Sequence, residues 1–110
     1  MAGYYDREHL AHFAGIAEGS PKLAEKFFDY YGAVFAPGAL TAREKSLIAL
    51  AVAHAVQCPY CIEAYTKDAL QKGADLEQMT EAVHVTTAIR GGASLVHGMQ
   101  MQEHAKKAGG

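Results

Sequence analysis

The chain has 110 residues, half of them hydrophobic, and ten Lys and Arg against twelve Asp and Glu give a formal charge of -2. That length bounds the fold to one domain over residues 1–110, and charges of both signs scattered along it leave no basic stripe to track a phosphate backbone, which excludes nucleic acid as a partner. The longest uncharged run, Ser46 to Ile62, is interrupted by His54, Gln57 and Pro59 and falls short of the ~18 to 20 apolar residues of a bilayer span, so it reads as a buried helix and no membrane partner is expected.

The opening MAGYYDREHL has no charged region followed by an apolar one, so no secretory signal is visible and a cytoplasmic location is the expectation. A first helical pattern runs from about Tyr4 to Ala17, with Leu10, Phe13, Ala14 and Ala17 on one face, and Gly19 ends it. Ser20 and Pro21 then supply an N-cap and a first-turn proline for a second helix carrying an aromatic stripe of Phe27, Tyr30 and Tyr31. After the break at Pro37-Gly38, Thr41 and Glu44 form a capping box for a third helix, SLIALAVAHAV, apolar nearly all round and therefore expected at the centre. A fourth helix follows Pro59 and stops at Gly73, whose missing β-carbon suits a left-handed C′ position. Asp75 and Gln78 make a weaker capping box for a fifth helix, predicted to kink or break at Gly91-Gly92, and a last segment runs from about Ala93 to Lys107. The pattern is all-α, with five to six helices and almost no strand signal.

The two cysteines stand together as Cys58-Pro59-Tyr60-Cys61, directly at a predicted helix start. Pro59 suits the first helical position, so Cys58 falls at the N-cap, where free amide N–H groups and the positive end of the helix dipole favour a thiolate. Two cysteines in a reducing compartment point to redox or metal chemistry, because a three-residue separation closes too small a loop to restrain an unfolded chain. His54 lies one turn before Cys58, and Cys61 and Tyr65 lie one and two turns into the next helix. His54, Cys58, Cys61 and Tyr65 are therefore the candidate catalytic line, with His54 as the titratable group suited to taking a thiol proton. Glu44 is also a carboxylate near this region, but its capping role already accounts for it. His84 and His97 recur further on. A zinc site would need paired histidines a few residues apart or a second CxxC, neither of which is present, so no metal is expected. No cofactor motif accompanies the cysteines.

The stretch LTAREKSLIALAVAHAVQCPYCIEAYTKDALQKGA from Leu40, followed by EAVHVTTAIRGGASLVHG, resembles the carboxymuconolactone decarboxylase and alkylhydroperoxidase-D-like superfamily. The wording HAVQCPYCIEAYT is similar to that of peroxidase-like members associated with arsenosugar biosynthesis. The resemblance implies an all-helical subunit of a homotrimer or homohexamer. It also implies a peroxidase in which Cys61 attacks a hydroperoxide and passes through a sulfenic acid, Cys58 resolves it to a disulfide, and an external thiol or protein reductant resets the pair. Helix-end electrostatics instead make Cys58 the better thiolate, which suits it as resolving nucleophile or leaving group. The chain departs from the peroxidase branch at three places. Ser46 stands where that branch has a relay glutamate, Tyr65 where it has a histidine, and Tyr60 where a histidine can sit between the cysteines. The decarboxylase branch lacks the cysteine pair, so lactone decarboxylation is disfavoured. A thiol-dependent peroxidase or disulfide oxidoreductase is the expectation, against two alternatives: a dithiol that captures a soft ion such as trivalent arsenic, and an oligomeric scaffold whose site has decayed.

Overall fold

The structure, a computed structural model, describes residues 13–109. A short 3-10 helix, Phe13–Glu18, precedes four α-helices: α1 (Pro21–Phe35), α2 (Ala42–Ala55), α3 (Pro59–Gln71) and α4 (Leu76–Lys107). Among the described residues there is no strand. Most of the expected first helix, Tyr4–Ala17, lies outside the described residues, and its described end is the 3-10 turn.

Each helix begins where a capping signal stands. Thr41 Oγ1 accepts from the Glu44 N–H at 3.0 Å while Glu44 Oε1 accepts from the Thr41 N–H at 2.8 Å, the reciprocal pair of a capping box. Those bonds from Thr41 hold the Glu44 carboxyl below its ordinary range, as expected for an anion that accepts amide N–H groups. Asp75 and Gln78 repeat the pattern at α4. Pro21 occupies the first turn of α1, but Ser20 makes no side-chain cap bond there. The proline alone sets that start, through its fixed φ and absent N–H.

Two corrections concern α4. The sequence predicts a kink or break at Gly91-Gly92 and a last segment beyond it, and the structure excludes the break: α4 is continuous for 32 residues, giving four α-helices where five to six are expected. Neither glycine takes a positive φ. A mid-helix glycine costs about 1 kcal/mol, whereas ending one helix and nucleating another leaves terminal amides and carbonyls unpaired and fixes a new first turn. Two glycines do not outweigh that.

The core lies between α2, α3 and the first turns of α4, where Leu50, Ala69, Ala74 and Met79 are buried and Leu47 and Tyr65 pack against them. α2 is the central helix, touching both α3 and α4, although Ile48 and Val52 on its far side are half exposed. Thr86 Oγ1 donates to the Ala51 carbonyl at 2.9 Å and Arg90 Nη1 to the Ala55 carbonyl at 3.0 Å, fastening α4 to the end of α2. Beyond Arg90, α4 leaves the core, and Leu95, Val96 and Met99 are largely exposed. The Cα radius of gyration is 18.8 Å, against about 13 Å for a compact domain of this length.

α1 buries no residue fully and is held at its C-terminal end. The Lys45 ammonium, from α2, donates to the carbonyls of Val34 at 2.7 Å and Ala36 at 2.6 Å. A cation on the free carbonyls at the negative end of the helix dipole is doubly favourable. Next to it the Phe35 ring stacks on Tyr65 of α3 at 5.3 Å between centroids. Replacing Lys45 by Met keeps the stem and removes both bonds. Urea unfolding is expected to show a loss of about 1 to 2 kcal/mol, and an unchanged midpoint would refute this anchoring role.

Candidate functional site

The site is built at the turn between α2 and α3. α2 ends at Ala55, and the chain reverses through Gln57, a non-glycine residue at φ 57°. The Gln57 N–H bonds the His54 carbonyl at 3.2 Å, and the Cys58 N–H reaches back to the Ala53 carbonyl at 3.0 Å. These are the two bonds of a Schellman motif. Cys58 closes α2 and, as expected, is also the N-cap of α3, where its Sγ accepts from the Cys61 N–H at 3.2 Å. Pro59 follows at the first helical position. One residue thus serves two helices, and its sulfur faces the amide-rich end of the second.

Cys58 and Cys61 are joined as a disulfide, with their Cα atoms 5.2 Å apart. A reduced Cys58 keeps the same cap geometry, and its thiolate is the stronger acceptor for the Cys61 N–H. Cys61 sits in the first turn without capping it. The two sulfurs are therefore chemically unequal.

His54 lies in the last turn of α2, partly buried, with Nδ1 2.9 Å from the Leu50 carbonyl. A carbonyl oxygen only accepts, so Nδ1 carries the proton and the neutral ring leaves Nε2 as its lone-pair nitrogen. Tyr65 is partly buried between the core and Phe35. Its ring terminates an aromatic ladder: Phe27 to Tyr31 at 5.8 Å, Tyr31 to Phe35 at 4.9 Å, then Phe35 to Tyr65. His54 thus stands in the last turn of α2, its ring turned to the Leu50 carbonyl, and Tyr65 one turn beyond Cys61 in α3, its ring against Phe35.

One residue escapes the sequence reading. Asp68 lies seven residues after Cys61 and three after Tyr65, on the same stripe of α3. Its Oδ1 accepts from the Lys72 ammonium at 2.5 Å, while Oδ2 is buried with no hydrogen-bond partner. Burial, and secondarily the Asp68 charge, push the Tyr31 phenol above its ordinary range. The i, i+4, i+7 spacing of Cys61, Tyr65 and Asp68 is the signal in the sequence, but a single aspartate on a helix reads as a solvated one, and its nearness to Tyr31 of α1 emerges only in the folded chain.

Other candidates take structural places. Ser46, at the position of the relay glutamate in the resembling proteins, is fully buried, and its Oγ donates to the Arg43 carbonyl at 2.9 Å. Glu44 caps α2. His84 and His97 are exposed along α4. Among the described residues no three His, Cys, Asp or Glu side chains gather closely enough to hold a metal ion, and no helix is long and apolar enough to cross a membrane. An apolar groove of about 460 Å³ runs between the 3-10 turn and α1, lined by Ile16, Leu23, Phe27 and Phe28 and by no residue of the cysteine turn.

Comparison with known proteins agrees with this architecture. The model of the carboxymuconolactone decarboxylase family matches residues 21–103. A structure from Methanobacterium thermoautotrophicum superposes with a TM-score of 0.75 at 34% identity, covering 78% of this chain and 97% of that one. A carboxymuconolactone decarboxylase family protein from Legionella pneumophila superposes at 0.70 with 30% identity, covering 83% and 81%. One from Thermotoga maritima, for which a part in an antioxidative response has been suggested, superposes at 0.56 with 25% identity, covering 78% and 79%. Uncharacterized protein 4 in the cox locus of Paracoccus denitrificans is 53% identical over 64 residues, spanning 58% of this chain and 58% of its own length.

Gln57 holds a left-handed conformation that a β-carbon disfavours by about 1 kcal/mol. Gln57→Gly is expected to raise the unfolding free energy by about that amount, and Gln57→Val to lower it. Equal stability of the three proteins in urea would contradict the Schellman geometry.

Proposed function

The chain belongs to the carboxymuconolactone decarboxylase family, and from that premise we propose that it is a thiol-dependent peroxidase or disulfide oxidoreductase working through Cys58 and Cys61. The observation that carries this reading is the Cys58–Cys61 disulfide at the N-terminus of α3, with Cys58 as the cap. A dithiol there carries two electrons without any cofactor. The antioxidative part suggested for the Thermotoga relative lends support from outside the chain.

The chemistry divides between the two unequal sulfurs. Cys61 attacks the distal oxygen of a hydroperoxide, forming an S–O bond as the O–O bond breaks. Sulfur is oxidised to the sulfenic acid, the peroxide is reduced, and the thiol proton ends on the leaving alkoxide as an alcohol. Cys58, poised as a thiolate by its cap position, then displaces hydroxide from Cys61, which leaves as water once protonated. His54, with its proton fixed on Nδ1, takes the Cys58 proton at Nε2. Tyr65 serves Cys61 from the next turn. Two equivalents of an external thiol, or a protein dithiol, return the disulfide to the reduced state and are oxidised in turn. In that reset Cys58 is the better leaving group, because its thiolate is stabilised where it stands.

The working unit in this proposal is a homotrimer or homohexamer. The extended shape and the exposed apolar residues on the outer half of α4 support it, since a single subunit leaves that face uncovered.

Stopped-flow oxidation of the reduced protein by hydrogen peroxide and an organic hydroperoxide, with mass spectrometry, tests the reading. The expected outcome is oxidation well above a free thiol's rate, ending in the Cys58–Cys61 disulfide. Cys58→Ser is expected to trap a sulfenic acid and Cys61→Ser to react slowly. A free-thiol rate throughout would reject peroxidase activity and favour soft-ion capture or a scaffold role, separated by arsenite titration. Sedimentation of the same samples is expected to show three or six subunits, and a monomer would refute the assembly.

A further inference from the structure

Cys58 stands where two helix dipoles meet, and they act on its sulfur in opposite directions. It is the N-cap of α3, whose free N–H groups favour a thiolate, and its own N–H closes the last turn of α2 on the Ala53 carbonyl. A helix C-terminus carries about half a negative charge on its free carbonyls, which disfavours a thiolate beside it. The last carbonyls of α2 are therefore part of the surroundings of Cys58. Val52 accepts from the Val56 N–H at 2.9 Å, Ala53 from Cys58 at 3.0 Å and His54 from Gln57 at 3.2 Å. In a helix that continued, Ala55 would accept from residue 59, and residue 59 is a proline without an N–H. The Ala55 carbonyl is bound instead by Arg90 Nη1 of α4 at 3.0 Å. The other side-chain bonds at this end bring no permanent charge: Thr86 Oγ1 donates to the Ala51 carbonyl, and His54 spends its Nδ1 proton on the Leu50 carbonyl one turn back. The titratable groups that neighbour Cys58 along the chain are His54 in α2 and Tyr60, Cys61 and Glu63 in the first turns of α3. From α4 comes Arg90, while His84, two residues from Thr86, lies on the other side of that helix.

We propose that Arg90 sets the acidity of the Cys58 thiol: its guanidinium on the last carbonyl of α2 offsets the dipole end that opposes the thiolate and leaves the favourable end of α3 to act. The guanidinium is charged at every pH the fold meets, so the effect is permanent. Arg90 is a positioning residue, since it acts on the sulfur through the Ala55 carbonyl, three residues before Cys58. A disulfide sulfur has no charge to stabilise, and the effect therefore belongs to the reduced form alone. Arg90 thereby favours dithiol over disulfide and makes the pair a stronger oxidant of its reductant, with Cys58 the readier leaving group in the reset. That last consequence rests on the reading of the pair as a working redox dithiol, whereas the acidity of Cys58 is a property of the chain with or without a peroxide.

Two measurements on the full chain test this. In the first, Cys61→Ser leaves one thiol to titrate, read by thiolate absorbance. Adding Arg90→Gln is expected to raise the Cys58 midpoint by about half a pH unit, and Arg90→Lys, which keeps the charge, to restore most of the shift. Arg90→Met keeps the apolar stem and carries the same expectation as Gln if Gln disturbs the fold. Thr86→Val removes the other bond from α4 to α2 but no charge, and is expected to leave the midpoint in place. A purely mechanical brace would make Thr86→Val and Arg90→Lys shift it as Arg90→Gln does. In the second measurement, with both cysteines present and the pH above the Cys58 midpoint, equilibrium with glutathione is expected to move toward the disulfide by about threefold in Arg90→Gln, the same shift read as an equilibrium. An unchanged midpoint or an unchanged equilibrium in the uncharged variants overturns the inference, and so does an equal shift in Thr86→Val. No peroxide enters either measurement, so a parent that reacts with peroxide no faster than a free thiol rejects the peroxidase reading while these two results still decide the role of Arg90.

Discussion

The structure depends on one residue that belongs to two helices. The Cys58 N–H closes α2 on the Ala53 carbonyl, and the Cys58 sulfur opens α3 on the Cys61 N–H. The cysteine pair is consequently not carried on a loop. It sits where two helix ends meet, with the φ of Pro59 fixed and Cys58 bonded to both ends. The next turn in the chain shows what this means chemically. There Gly73 and Ala74 close α3 with the same pair of bonds, to Leu70 and Ala69, and Asp75 caps α4 with its carboxylate. At the first turn a sulfur stands where the second has an anion. The thiolate is the form of Cys58 that matches the cap, and this is the physical origin of the inequality between the two cysteines.

The remaining elements are arranged around that turn. Arg90 and Thr86 tie α4 to the carbonyls at the end of α2, so the helix leading into Cys58 is braced from behind. Lys45 and the Phe35–Tyr65 stack hold the C-terminal end of α1 against α2 and α3. The braced turn gives the dithiol a fixed geometry, and Phe35 stacks on Tyr65 one turn beyond Cys61. What is left over is the outer half of α4, long, unsupported within the subunit, and carrying the exposed apolar residues Leu95, Val96, Met99 and Met101.

The helix starts were legible because each is written in side chains that bond locally. Thr41 with Glu44, Asp75 with Gln78, and Pro59 after Cys58 act within three residues, and the structure places all of them as the spacing requires. Of the four residues read as a site, Cys58 and Cys61 stand at the start of α3, His54 in the last turn of α2 and Tyr65 in the second turn of α3. The misreadings come from terms that local sequence does not contain. Gly91-Gly92 looked like a stop because propensity is local, while the cost of a new helix end is not. The left-handed Gln57 carries no glycine to announce it. Ser20 looked like a cap and makes no cap bond. The binding of Lys45 to the C-terminal end of α1 and the stacking of Phe35 on Tyr65 are tertiary facts that local sequence does not carry.

Titration of the two thiols in the reduced protein, followed separately by 13Cβ-cysteine NMR, tests the shared-cap account most directly. The account predicts that Cys58 ionises at distinctly lower pH than Cys61 and below an ordinary thiol. Equal ionisation of the two, or a lower value at Cys61, would contradict it.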